Sequence, residues 1–238
     1  MDLRQYYQNL ISSSEATLNE SLQKLDELAK VHAFTEDLLI WHEVVHTRVG
    51  ATVVRYAAGE IQLSALSLAY GLYRQAFTSL RLSLELSLSA IFFSTNELEF
   101  REWEQGKRDI YWNQLVDVNP DTNNGIFSKR YAKAFFPELE DSVAEYNKLA
   151  RNTYRDLSEF VHGNAYTWEM STSSIGFDDA LFHRWITNFG GVSRIISFGL
   201  TLRFLKSLER GEISSLKAHL QEYLGTIPAI REVIGGAL

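Results

Sequence analysis

The ten residues Leu80-Arg-Leu-Ser-Leu-Glu-Leu-Ser-Leu-Ser89 decide the fold class, because their strict alternation of leucine with polar residues also fits a β-strand. Composition favours a helix instead, since leucine is a strong helix former and no β-branched residue occurs between Ser79 and Ala90. A helix would also bring Arg81 and Glu85 together as an ion pair. The apolar residues that follow a helical period are Phe77, Leu80, Leu84, Leu88 and Ile91. We therefore predict a buried helix here.

The distribution of prolines extends the helical prediction to the whole chain. The chain has three prolines, and the first 119 residues contain none, which favours long helices over a series of short strands. A length of 238 residues suits one large domain. We predict an all-α fold, a helical bundle of about five to seven helices. Residues 1–210 would form the bundle, and residues 211–238 would be a C-terminal helical extension of the same domain.

Composition excludes several classes of protein and site. Hydrophobic residues make up 45% of the chain, so it is not a disordered protein, and the absence of cysteine excludes disulfides and thiolate metal sites. The net charge of −7 argues against a protein that binds long nucleic acid by counterion release, but it does not exclude a small, local anion-binding site. Residues 61–93 contain charged side chains, and no secretory signal is present. We expect a cytoplasmic protein with no membrane-spanning segment.

A second stretch, residues 150–164 (Ala-Arg-Asn-Thr-Tyr-Arg-Asp-Leu-Ser-Glu-Phe-Val-His-Gly-Asn), predicts the functional site. On a helix, Arg155 and His162 are seven residues apart and therefore lie within about 20° of each other. The buried face next to them would consist of Leu157, Phe160 and Val161. Gly163 and Asn164 should end the helix, which places His162 in its last turn, where the helix dipole favours positive charge. Two cationic groups on one face repel each other unless an anion lies between them, so the pattern indicates phosphate chemistry.

The pair and its setting resemble the HEPN (higher eukaryotes and prokaryotes nucleotide-binding) superfamily. The signature of that superfamily is an arginine, a polar residue and then a histidine after four to six intervening positions on an internal helix. Here Arg155 is followed by Asp156, and six residues separate Arg155 from His162. The upstream segment, residues 71–85, is similar to the helix that packs beside the motif in such proteins. The resemblance covers roughly residues 60–165.

The resemblance implies a class of protein and a set of partners. Such proteins are all-α bundles, often homodimers whose two motifs face a shared cleft. Many are metal-independent endoribonucleases of toxin or antiviral defence systems. For this chain the resemblance implies RNA as substrate, a second copy of the chain as partner, and a possible protein partner in a defence or toxin–antitoxin system. It implies neither a metal nor a cofactor.

The resemblance also implies a role for each residue of the site. His162 would be the general acid/base for attack of a ribose 2′-OH on its own phosphodiester. Arg155 would hold the scissile phosphate and offset the charge gained in the transition state. Asp156 could orient either of them. The residues that would bind substrate are Arg151, Arg81 and Glu85.

Two alternatives remain open from the sequence. The chain could be a catalytically inactive helical module that binds a partner in a defence or regulatory complex. Arg81 and Glu85 could form an internal ion pair with a structural role instead of one wall of a cleft, because a buried charge needs a partner in either case.

A zinc-hydrolase pattern occurs at His42-Glu-Val-Val-His46, where two imidazoles would share one helical face and Glu43 would be a general base. Val49 stands where the extended pattern has a glycine, and the third histidine is missing. We therefore interpret this segment as an amphipathic helix with two half-buried histidines and predict no metal site.

Overall fold

The computed structural model of the chain describes residues 2–117, 124–162, 165, 167 and 175–235. Within these ranges the backbone forms helices, turns and loops but no strand, which confirms the predicted all-α class. The α-helices are α1 (Leu3–Ser21), α2 (Leu25–Val45), α3 (Ala51–Ala69), α4 (Tyr73–Phe93), α5 (Glu97–Glu104), α6 (Trp112–Leu115), α7 (Lys129–Phe135), α8 (Val143–Ser158), α9 (Asp179–Phe204), α10 (Arg210–Leu224) and α11 (Pro228–Val233). Three-residue 3-10 turns occupy Leu22–Lys24, Pro137–Leu139 and Leu205–Ser207.

The long helices build the bundle, and the short helices occupy the connections between them. Within the described residues, α1 to α4, α8, α9 and α10 each have 15 residues or more. Helices α5, α6, α7 and α11 have between 4 and 8 residues. The described residues thus contain more helices than the five to seven that the sequence predicts, because several short helices occupy the connections.

Helix α4 lies at the centre of the bundle, as its leucine stripe predicts. Leu80, Leu84 and Leu88 are fully buried, so the alternating segment of the sequence forms a core helix. Its most extensive partner is α3, and it also packs against α8 and α9. The length and composition of α4 would suit a membrane span, and 67% of that window is buried inside the bundle. Packing against neighbours on several sides explains why both faces of this helix carry leucine.

Two glycines make the tight turns that fold α2, α3 and α4 against one another. Gly50 has a φ of 78° and Gly71 a φ of 74°, a left-handed conformation that is strained for other residues. Gly50 also has no room for a side chain, since a Cβ placed there would lie 2.9 Å from the Cβ of Phe93. These turns bring α4 against α3 and expose one flank of α4 to α8.

The C-terminal segment that the sequence predicts as an extension is described up to residue 235. Helix α10 packs against both α2 and α9. Leu216 and Leu220 are buried there, and the Nδ1 atom of buried His219 lies 3.0 Å from the Oδ2 atom of Asp37 on α2. Helix α10 therefore shares the core of the bundle.

Candidate functional site

The candidate site lies on α8 and on the turn that follows it. Helix α8 ends at Ser158, and the turn continues its direction because the backbone N–H of His162 donates to the carbonyl oxygen of Ser158 at 3.0 Å. His162 therefore lies just beyond the helix, not in its last turn as the sequence predicted. Gly163 and Asn164, the predicted stop signal, lie outside the described residues.

Phe160 anchors this turn to the bundle. Its ring stacks on Phe77 of α4 with a centroid distance of 3.7 Å and an interplanar angle of 2°. Arg74, also on α4, donates a hydrogen bond to the carbonyl oxygen of Phe160. Leu157 and Phe160 are buried as predicted, but the prediction for Val161 is wrong, because this side chain is 39% exposed. The regular helix has ended by this position, so the helical period no longer places Val161 against the core.

Four basic side chains form a row along the solvent face of α8, which we call the basic stripe: Lys148, Arg151, Arg155 and His162. Lys148, Arg151 and Arg155 lie on the helix itself, where spacings of three and four residues confine them to a sector of about 60° at about 100° per residue, and His162 follows on the turn after the helix. All four are exposed, and none of their side chains has a hydrogen bond or ion pair with another described residue. The stripe thus includes Arg155 and His162, the predicted catalytic pair, and Arg151, a predicted substrate-binding residue.

The acidic side chains between these basic residues are bound by α9. Arg184 forms ion pairs with Asp156 and with Glu159, the latter at 2.9 Å between Nη2 and Oε2. The side-chain amide of Asn188 donates to Asp156 Oδ2 at 2.6 Å. Asp156, which the resemblance implies would orient Arg155 or His162, is therefore directed towards α9. Arg184 offsets one of the two negative charges and holds both carboxylates on the side of α8 that faces α9.

Charge and burial compete at Arg184. Partial burial disfavours its charged form, but hydrogen bonds to Asp156 and Glu159 outweigh that effect and hold the pKa of the guanidinium above its usual value. The guanidinium also lies over the ring of Phe160, 4.9 Å from the centroid. Arg184 therefore contacts two carboxylates and also Phe160, the residue that packs the turn carrying His162 against α4.

Arg81 and Glu85 form an internal ion pair beside the stripe. Arg81 Nη2 lies 3.2 Å from Glu85 Oε1, and their side chains are 14% and 20% exposed. Both contact the hydroxyl of Tyr154 on α8, which accepts from Arg81 at 2.5 Å and donates to Glu85 at 2.9 Å. Burial, followed by the negative charge of Glu85, raises the pKa of Tyr154. The pair fixes Tyr154, the residue before Arg155, and thereby the orientation of α8.

The zinc-hydrolase pattern on α2 has a local explanation. His46 Nδ1 lies 2.6 Å from the backbone oxygen of Glu43, and His42 Nδ1 lies 3.3 Å from the carboxylate of the same residue. Across the described ranges, no group of three or more histidine, cysteine, aspartate or glutamate side chains could hold a metal ion. Both imidazoles therefore interact with their own helix.

Sequence reasoning missed two parts of this site. Lys148 could have been found, since it continues the spacing of Arg151 and Arg155 on the same face. Arg184 could not, because it is 28 residues from Asp156 along the chain and only the packing of α9 on α8 brings them together.

A comparison with protein-family models, with curated proteins and with solved structures finds no match for this chain.

Replacing Arg184 tests the role of the α9 contact. The variant Arg184→Met leaves Asp156 and Glu159, each about one third exposed, without a cation, and should lower the free energy of unfolding by about 1–2 kcal/mol. The matched variant Arg194→Met removes a more exposed ion pair, in which Arg194 Nη2 lies 3.6 Å from Glu145 Oε1 and the Arg194 side chain is about half exposed. This variant should lower the free energy of unfolding by less than about 0.5 kcal/mol. Urea denaturation measures both values, and equal losses would show that Arg184 has no special role.

Proposed function

We propose that the protein is a metal-independent endoribonuclease of the HEPN type that acts in a toxin or antiviral defence system. The observation that carries the proposal is the basic stripe, in which Arg155 near the end of α8 and His162 on the turn that follows are both exposed without a described partner. An exposed guanidinium and an exposed imidazole that lack internal partners can both donate hydrogen bonds to a phosphate. The type of reaction is inferred from the resemblance of the motif to HEPN proteins.

The proposed reaction is an internal transesterification of RNA. The ribose 2′-oxygen attacks the adjacent phosphorus, a bond from phosphorus to that oxygen forms, and the bond to the 5′-oxygen of the next nucleotide breaks. The products are a 2′,3′-cyclic phosphate and a free 5′-hydroxyl. His162 takes the proton of the 2′-OH or supplies one to the leaving oxygen. Arg155 binds the non-bridging oxygens, where negative charge accumulates.

The reaction requires both a base and an acid, and each chain supplies one His162. A homodimer in which two motifs face a shared cleft would place a second His162 at the same phosphate. A partner copy is therefore part of the proposal, and the resemblance supports it.

Alanine substitution of the motif is the direct test. His162→Ala should reduce cleavage of a fluorescent single-stranded RNA by at least about 100-fold, the contribution expected of a general acid/base. Arg155→Ala should have a similar effect, because it removes charge stabilisation in the transition state. His32→Ala is the matched control, since His32 is an exposed histidine on α2 without a described partner, and it should retain full activity.

Two further conditions identify the mechanism in the same assay. A 2′-deoxy residue at the scissile position should block cleavage, and a metal chelator should leave the rate unchanged. Equal cleavage by the wild type, His162→Ala and Arg155→Ala would refute the ribonuclease proposal.

The rest of the stripe should bind the RNA backbone away from the reacting phosphate. The double variant Lys148→Ala/Arg151→Ala should raise KM and change kcat little, because it removes contacts made equally in the ground and transition states. The slope of log KM against log salt should fall by about 1.4, or about 0.7 for each lost phosphate contact on a single strand. A change confined to kcat would contradict this role.

The second candidate is a catalytically inactive module that binds a protein partner in a defence or regulatory complex. The observation that favours it is a groove of about 500 Å³ between α2 and α10, with an apolar floor and an acidic rim. The floor consists of Leu39, Ile40 and Val44, and the rim of Glu36, Glu43 and Glu212. The RNA assay separates the candidates, since this module would leave RNA intact.

A further inference from the structure

The first half of α1 presents an apolar face to solvent. Its apolar residues recur at the spacing of an amphipathic helix, and we call them the α1 stripe: Leu3, Tyr6, Tyr7, Leu10 and Ile11. Leu3, Tyr7 and Ile11 are 63%, 57% and 58% exposed. Further along the same helix, Thr17 and Ser21 are buried, so only the second half of α1 packs into the bundle.

Two features of this segment are unusual: its apolar side chains are exposed in a row, and its helix has no packing partner among the described residues. Single apolar residues are common on protein surfaces, but a contiguous row over two to three helical turns marks an interaction site. A short helical segment is also only marginally stable in water without packing. The first half of α1 lacks such packing within the described chain, because the residues before Leu10 are all exposed. A partner that covers the stripe would supply it.

The charges on α1 fit a second copy of the same helix. Arg4 and Glu15 are the only charged residues between positions 3 and 15. Both are exposed, and neither side chain has a described partner. They are eleven residues apart, which places them within about 20° of each other along one edge of the stripe. In an antiparallel pair centred between Asn9 and Leu10, Arg4 of each copy lies opposite Glu15 of the other. A parallel pair would place Arg4 and Glu15 eleven residues apart along the helix axes and would pair neither of them.

The available area is consistent with such a pair. The five side chains of the α1 stripe are about half exposed and together offer roughly 500 Å² of apolar surface per copy. Two copies would bury about 1,000 Å² from the stripe alone, which reaches the lower end of specific interfaces.

We propose that α1 is a self-association element, and that residues 3–15 of two copies pack antiparallel about a two-fold axis. The interface is isologous, so each copy contributes the same surface and the assembly closes as a dimer. It shares no residue with the basic stripe on α8. It has in common with the ribonuclease proposal only the need for a second copy, and different variants test the two: α1 variants report on association, and His162→Ala reports on cleavage.

A charge swap tests the pairing by sedimentation velocity across a range of protein concentrations. Arg4→Glu and Glu15→Arg should each weaken the dimer about tenfold, because each creates two like-charge pairs across the axis. The double variant Arg4→Glu/Glu15→Arg restores both pairs and should return the dissociation constant to within about threefold of the wild type. Tyr7→Lys should be monomeric at every concentration at which the wild type is dimeric.

The control is Leu63→Lys, which changes a comparably exposed leucine on α3, 52% exposed, and should leave the dimer intact. Circular dichroism of each variant confirms that the bundle is folded, and the two charge variants remain informative if Tyr7→Lys unfolds. A monomeric wild type, a double variant that fails to restore the dimer, or dissociation by Leu63→Lys would each overturn the proposal. Binding of a monomeric wild type to phosphatidylcholine vesicles would instead identify a lipid surface as the partner.

Discussion

The ion pairs between α9 and α8 determine the charge that α8 presents to solvent. Asp156 and Glu159 alternate in sequence with the basic residues of α8 and would neutralise them if they were free. Arg184 binds both carboxylates, and Asn188 adds a hydrogen bond to Asp156. A separate pair between Arg194 and Glu145 acts in the same way near the start of the helix. The positive charge of the basic stripe therefore depends on residues of another helix.

This arrangement explains how an acidic chain could bind an anion. The net charge is −7, so the field of the whole protein repels a polyanion at a distance. At physiological salt that repulsion is screened beyond about 8 Å, while contacts within the stripe are direct. The helical part of the stripe, from Lys148 to Arg155, spans seven residues, or about 10 Å at about 1.5 Å per residue. For the proposed ribonuclease, this length would suit a short segment of a single strand.

Much of the fold could be predicted from the sequence because leucine-rich helices have clear periods and propensities. The alternating segment Leu80–Ser89 was ambiguous in pattern, and the absence of β-branched residues settled it in favour of a helix. Helical spacing predicts that Arg155 and His162 share a face and that Val161 is buried. The helix ends at Ser158, however, so the regular period reaches Arg155 but not His162, and Val161 is exposed.

The parts of the site that could not be predicted depend on tertiary packing. Nothing in the order of residues indicates that Arg184 would bind Asp156, because any of several basic residues could have done so. The exposure of the α1 stripe is a similar case. An apolar period predicts a buried face, and only the packed structure shows that Tyr7 and Ile11 have no covering element within the described residues.

The central claim is that Arg155 and His162 bind the same anion on the open face of α8. It is tested most directly by nuclear magnetic resonance, following the His162 ring and the Arg155 side-chain N–H while a short deoxyribose oligonucleotide, which has no 2′-OH and cannot be cleaved, is titrated. The account predicts that both signals shift with one dissociation constant, and that the histidines on α2 do not respond. Signals from Arg155 and His162 that stay unchanged, or that follow different binding curves, would contradict it.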